Sequence, residues 1–212
     1  MFRYLYNPPA IVKKMFGNFI WDSAGGKILL TFDDGPIPET TDIILKLLDK
    51  NKIKAAFFCV GNNIAKYPSL ASSILEEGHV IGNHTYNHKQ VTQISSEKLV
   101  EEIDSFNNLM AEKFDYKVKH FRPPHGKFNL TMGGEINKRQ MSNVMWSLLT
   151  YDFKSDLNLY KKIIDKYLKH NSLVVLHDSL KSKDIIEASI MYLLEKATYK
   201  DFKIGKPEEC LK

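Results

Sequence analysis

Cysteine is nearly absent: the 212-residue chain carries only Cys59 and Cys210. Two thiols build no disulfide framework, so the fold must rest on a hydrophobic core. Cys59 lies in the apolar run Ala55-Ala-Phe-Phe-Cys-Val60 and reads as a small core residue. Long apolar runs are missing too, and no stretch approaches the roughly 20 residues a membrane helix needs. Arg3, Lys13, Lys14 and Asp22 interrupt the first thirty residues, which leaves no signal-peptide apolar region. A cytoplasmic chain without a membrane span is expected, with action outside the cytoplasm left open. There is no repeat or low-complexity segment. The net charge of +5 and pI near 9.0 come without a dense basic block. The lysines are scattered along helix-like segments and no nucleic-acid motif accompanies them, so no nucleic-acid partner is expected. What is present suits one domain: 43% hydrophobic and 11% aromatic content is enough for a core.

Residues 1–22 hold aromatics and a Pro8-Pro9 pair without a clear period, and are read as an extension packed on the outside of a domain spanning 23–212. From there strand-like and helix-like stretches alternate. Apolar runs fall near 27–32, 53–60, 79–82, 118–121, 143–148 and 172–177, and helical patterns near 39–50, 62–77, 95–115, 129–140, 157–170 and 183–197. After Ser95, Leu99, Ile103, Phe106, Met110 and Phe114 recur every three or four residues, which predicts a long amphipathic helix. Asp156 is the N-cap candidate for the next one, with Leu159, Ile163 and Tyr167 as its buried face. Strict alternation predicts right-handed βαβ units around a parallel sheet, either a barrel or a doubly wound sheet.

The polar residues of interest all follow strand-like runs. Lys27-Ile-Leu-Leu-Thr-Phe-Asp-Asp-Gly-Pro36 delivers Asp33 and Asp34 to a strand's C-terminal edge, where α/β proteins bind ligands. Taken alone, Asp-Asp-Gly-Pro is a turn signal. Neighbouring side chains on an extended chain point to opposite sides, so the two acids can hold different jobs. His84 and His88 are four apart, and on a helix or helical turn they would share a face and converge on one ion. Two imidazoles and a carboxylate form a donor set of catalytic metal sites. Arg122 ends a strand before Pro123-Pro124 in Phe121-Arg-Pro-Pro-His-Gly126, as if held for a carboxylate partner. Trp146 opens an apolar run ending in Asp152, and Ser172-Leu-Val-Val-Leu-His177 ends in a histidine placed to act as acid or base.

In this order, Thr31-Phe-Asp-Asp-Gly-Pro36, His84-x-x-x-His88, Arg122-Pro-Pro-x-Gly126, Trp146 to Asp152 and Val175-Leu-His177 resemble the polysaccharide deacetylase family, carbohydrate esterase family 4, with its NodB homology domain. The resemblance runs from about residue 25 to about 200. It implies a distorted (β/α) barrel of about seven parallel strands, which decides between the two sheet types. It implies a metal held by Asp34, His84 and His88, with zinc the default and cobalt or nickel as alternatives. It gives Asp33 the role of general base and His177 that of general acid. Arg122 then orients Asp33, and Asp152 tunes His177 or joins the charges around Arg122. Asp33 ionised and His177 protonated are opposite states, which predicts a bell-shaped pH–rate profile. The implied reaction is hydrolysis of the acetamide of N-acetylhexosamine units in a peptidoglycan- or chitin-like glycan, releasing acetate; a monomer is expected.

Three positions depart from the family pattern. His125 stands where an aromatic, often Tyr, is usual; its backbone N–H carries the oxyanion role, and Pro123 belongs to the same turn. Phe153 replaces Trp and Val175 replaces Leu. With Trp146 they keep an apolar acetyl pocket of altered size. Hydrolysis of a small non-carbohydrate amide, and an inactive glycan-binding relative, are the competing readings.

Overall fold

The structure is a computed structural model that describes residues 6–212; the first five residues of the proposed extension lie outside it. Seven parallel strands are joined by helices. They are β1 (Leu29–Asp34), β2 (Ala56–Cys59), β3 (Val80–Asn83), β4 (His120–Phe121), β5 (Ser142–Asn143), β6 (Leu148–Leu149) and β7 (Leu173–His177). Their spatial order, β5-β4-β3-β2-β1-β7-β6, places β1 between β2 and β7, with Thr31 level with Ala56 and Val175. The sheet curls into a half-barrel whose edges β5 and β6 do not pair with each other. Ile20 fills part of that gap: its N–H donates to Asn143 O and its carbonyl accepts from Met145 N, both at 2.8 Å.

Burial on both faces explains the apolar strands. Leu30, Phe32 and Phe57 join the main core under the helices, whereas Leu29, Ala56, Phe58, Val144 and Leu173 form a second cluster with Cys210 and Leu211. Its Phe58 stands level with Asp33 in the sheet. Both cysteines are buried and unbridged, one in each cluster. Phe19 and Trp21, from the segment read as an outside extension, are buried in the main core beside Phe128.

The helices follow their sequence signals. Helix α1 (Ala10–Met15) precedes the sheet, and α2 (Pro38–Lys50) opens on a proline, whose missing N–H costs nothing there. The stretch 62–77 is two helices, α3 (Gly61–Lys66) and α4 (Pro68–Glu76), because Pro68 cannot continue the first and restricts Tyr67 before it. Helix α5 (Ser96–Phe114) has Ser95 as N-cap and left-handed Asp115 as its stop, and buries Leu99, Ile103, Phe106 and Met110. Helix α6 (Leu130–Lys138) is capped by Asn129. In α7 (Leu157–Tyr167), capped by Asp156, the buried face centres on Tyr160, Ile163 and Ile164. Leu159 and Tyr167 only flank the core, so the predicted face is turned by about one residue. Helices α8 (Ile186–Tyr199) and α9 (Pro207–Cys210) complete the chain. Among the described residues, no helix is long and apolar enough to cross a membrane.

Candidate active site

At the C-terminal end of β1, Asp33 is buried and Asp34 partly buried. A regular strand would aim them to opposite sides, yet both line one cavity of about 280 Å³. The departure is local: Asp34 has φ 81°, a left-handed conformation that turns its carboxylate away from the pleat. Such backbone costs of order 1–3 kcal/mol in a residue with a Cβ, and the neighbours fix it. Asn63 Nδ2 donates to Asp34 O at 2.8 Å, and Val60 N donates to Gly35 O at 2.9 Å.

Asp33 is held by Arg122, which is fully buried. The Arg122 Nη1 donates to Asp33 Oδ1 at 2.6 Å and to Thr31 Oγ1 at 2.7 Å, while Nε and Nη2 donate to the carbonyls of Val144 and Met145. Its guanidinium also lies 4.0 Å from the Phe58 ring centre. The carbonyls of 144 and 145 turn towards Arg122, so the predicted strand 143–148 breaks into β5 and β6.

His84 and His88 converge with Asp34, but not on a helix. They lie in an irregular loop after β3, with left-handed φ at Thr85 (64°) and His88 (56°). His88 Nε2 is 3.1 Å and His84 Nε2 3.7 Å from Asp34 Oδ1, and one ligand atom from each residue lies within 4.8 Å of the others. The His84 Nδ1–H donates to Arg122 O at 2.7 Å, which leaves Nε2 as the lone-pair nitrogen towards Asp34. Burial lowers the His84 pKa to about 4 against the pull of Asp33 and Asp34, so the ring is neutral and ready to ligate. Burial would raise Asp34, but its bond to His88 and the nearby His177 and His84 hold it well below the ordinary carboxylate range. A neutral imidazole, a second imidazole and an ionised carboxylate around one point fit a divalent cation.

Opposite them, His177 ends β7. Its Nδ1–H donates to Asp152 Oδ1 and its backbone N–H to Asp152 Oδ2, both at 2.7 Å, which leaves Nε2 available to the cavity. Burial alone would lower its pKa; the charge and hydrogen bond of Asp152, with Asp34 and Asp33 further off, raise it to about 9. Trp146, Phe153 and Val175 line the apolar wall with Leu149, and the Phe153 ring stands edge-on to His177 at 4.8 Å. His125, at φ 57°, reaches the cavity beside His88, with ring centres 4.7 Å apart. Gly126 follows because a Cβ there would overlap the Trp146 ring. Pro123 does not line the cavity; its carbonyl accepts the Gly126 N–H and sets the turn.

Sequence reasoning missed the supports. Asn83 Oδ1 accepts from Thr85 N at 2.7 Å, and Glu102 of α5 accepts from Asn87 N and Asn87 Nδ2 at 2.7 and 2.8 Å, so both brace the histidine loop. The signal for Glu102 was an acid three residues after Leu99, on the apolar face of α5. Lys181, Leu149 and Gly126 are further cavity residues that were not singled out. Asp178 was also missed: burial pushes its carboxyl up to about 7, although hydrogen bonds from Thr40 and Thr41 favour the ionised form.

The family model described as Polysaccharide deacetylase matches residues 22–144. The chain belongs to the polysaccharide deacetylase family. A peptidoglycan-N-acetylglucosamine deacetylase of Bacillus cereus is 35% identical over 152 residues, which are 72% of this chain and 55% of that protein. A chitooligosaccharide deacetylase of Azorhizobium caulinodans is 31% identical over 157 residues, 71% of this chain and 73% of that protein. The chain thus spans about half the length of the first of these curated relatives. Among solved structures, the Bc1960 peptidoglycan N-acetylglucosamine deacetylase superposes with a TM-score of 0.84 at 24% identity, covering 95% of this chain and 96% of that one. The BA3943 protein of Bacillus anthracis, a family pseudoenzyme, superposes with a TM-score of 0.80 at 23% identity, covering 91% and 68%. Both show the half-barrel fold of this polysaccharide deacetylase member, and the second shows that the fold does not by itself bring turnover.

Proposed function

We propose that this chain is a metal-dependent N-deacetylase that hydrolyses the acetamide of N-acetylhexosamine units in a poly- or oligosaccharide and releases acetate. One observation carries the reading: a carboxylate clamped by a buried arginine and a histidine held protonated by a buried aspartate face one cavity that also holds the Asp34-His84-His88 cluster. Those three residues would hold a divalent ion, with zinc the default for this donor set. Such an ion, when bound, supplies a Lewis acid for the acetamide carbonyl and lowers the pKa of the attacking water.

The chain's own groups do the rest. Asp33 accepts a proton from the water as its oxygen attacks the carbonyl carbon, and Arg122 holds that carboxylate aimed at it. The backbone N–H at His125 donates to the developing oxyanion. His177 gives the proton on Nε2 to the sugar nitrogen as the C–N bond breaks, and Asp152 stabilises the imidazolium until then. Trp146, Leu149, Phe153 and Val175 enclose the acetyl methyl and exclude water from it. The products are acetate and a free amino sugar.

The relatives named for peptidoglycan and for chitooligosaccharides support a glycan substrate of that type. The test is acetate release from N-acetylated oligosaccharides of graded length, zinc-loaded and with chelator. Release that a chelator abolishes supports the reading. No release from any N-acetylated glycan by the zinc-loaded protein contradicts it and leaves a hydrolase of a small non-carbohydrate amide or a non-catalytic relative.

A further inference from the structure

Asp178 is fully buried, follows the proposed acid His177, and has no cation partner among the described residues. A buried carboxylate of that kind is costly unless neighbours satisfy it. Here both oxygens are satisfied by hydroxyls from the first turns of α2: Thr40 Oγ1 donates to Oδ1, and Thr41 Oγ1 donates to Oδ2 at 2.6 Å. The N-terminal end of that helix adds a favourable dipole for a negative charge. On its other side the carboxylate fills the space over Gly35, so closely that any Cβ at Gly35 would overlap it. Its backbone N–H donates to Asp33 O at 2.8 Å, extending the β1–β7 ladder past the two functional side chains.

We propose that Asp178 is a positioning residue that clamps the Asp33-Asp34-Gly35 turn between β7 and the start of α2, and so fixes the left-handed Asp34 beside His84 and His88. From the other side, Asn63 and Val60 hold the carbonyls of the same turn. The turn is therefore gripped on both faces, and Asp178 is the only one of these grips that also borders the proposed acid. Release of this grip lets Asp34 relax towards regular strand geometry, which moves its carboxylate away from the two imidazoles. A residue that merely stabilised the sheet would change unfolding without changing what the folded molecules bind.

The test compares Asp178→Asn, Thr40→Val and Thr40→Ser in the full chain, with zinc affinity read by competition against a chromophoric chelator. Thr40 is chosen because its hydroxyl bonds Asp178 alone, and Val keeps its size. Supports of metal ligands are worth about 10–100-fold in affinity, so Asp178→Asn is expected to weaken zinc binding about tenfold or more. Thr40→Val moves in the same direction and Thr40→Ser restores it. The proposal rests on the deacetylase reading only in a second arm, in which kcat for acetate release falls with zinc affinity while KM stays within about threefold. Zinc affinity still decides the proposal if the wild-type chain releases no acetate. If Asp178→Asn does not fold, the Thr40→Val and Thr40→Ser pair carries the test. Folded variants with wild-type zinc affinity overturn the proposal.

Discussion

Arg122 bonds Asp33 and leaves Asp34 to the two histidines, so the pair is divided by its partners. Asp33 accepts one of the four hydrogen bonds that fix the Arg122 guanidinium, and Asp34 sits on a turned backbone with its carboxylate towards imidazoles. Replacing Asp33 with Asn is therefore expected to lower kcat for acetate release by about 100-fold to 10,000-fold, the scale of a lost general base. On the other side of the cavity, Asp152 raises the pKa of His177 to about 9. The imidazolium persists below that pH and is lost above it, so the alkaline limb of the pH–rate profile reports it. Asp152→Asn removes the negative charge, and the alkaline limb should move to lower pH. An unmoved limb, at unchanged metal content, would separate His177 from proton delivery.

At the scale of elements, the histidine loop after β3 has no helical ladder of its own. It borrows its shape from Asn83 and from Glu102 on α5. Glu102→Ala leaves the Asn87 N–H without its acceptor, and zinc binding should weaken about 10–100-fold while α5 stays folded by circular dichroism. Binding equal to wild type would mean that the loop holds itself. These supports also mark where sequence reading stops. The spacing of His84 and His88 suggested convergence, and convergence is found, but through left-handed residues that spacing does not encode. Similarly, Pro68 split a stretch whose apolar period runs on across it. Arg122 split the run 143–148 by taking its carbonyls, a tertiary demand with no local signature. Much of the site was legible because Asp34 and His177 end strands, Asp33 precedes Asp34 and Arg122 directly follows a strand, and apolar runs that stop abruptly in Asp, Arg or His are visible in one dimension.

For the whole molecule, the N-terminal segment is more than a cover. Phe19 is buried in the main core and Ile20 bridges the open edge of the sheet. Phe19→Ala is expected to cost about 3–5 kcal/mol of unfolding free energy, measured by urea denaturation; a change below 1 kcal/mol would return the segment to a surface role. Its aromatic residues lacked a period, so nothing in one dimension tied them to the core. Stability should also depend on pH through residues far from the cavity. Burial lowers the pKa of His79 and of His120 to about 4, with lysine neighbours adding to the effect. His79 Nδ1 accepts the Ala55 N–H, which a protonated ring could not do. At these two sites the unfolded chain binds more protons than the fold between about pH 6.5 and 4, so their contribution to stability is full above 6.5 and falls as pH drops through that window. A His79→Gln variant whose unfolding free energy changes between pH 7.5 and 4.5 just as the wild type's does would contradict this.

The division of labour between two adjacent aspartates is the centre of the account. The direct measurement is zinc content per chain beside acetate release for Asp33→Asn and Asp34→Asn, purified under the same conditions. The account predicts that Asp33→Asn keeps one zinc and loses turnover, and that Asp34→Asn loses both. An Asp33→Asn protein that still releases acetate at the wild-type rate, or that loses its zinc, contradicts it.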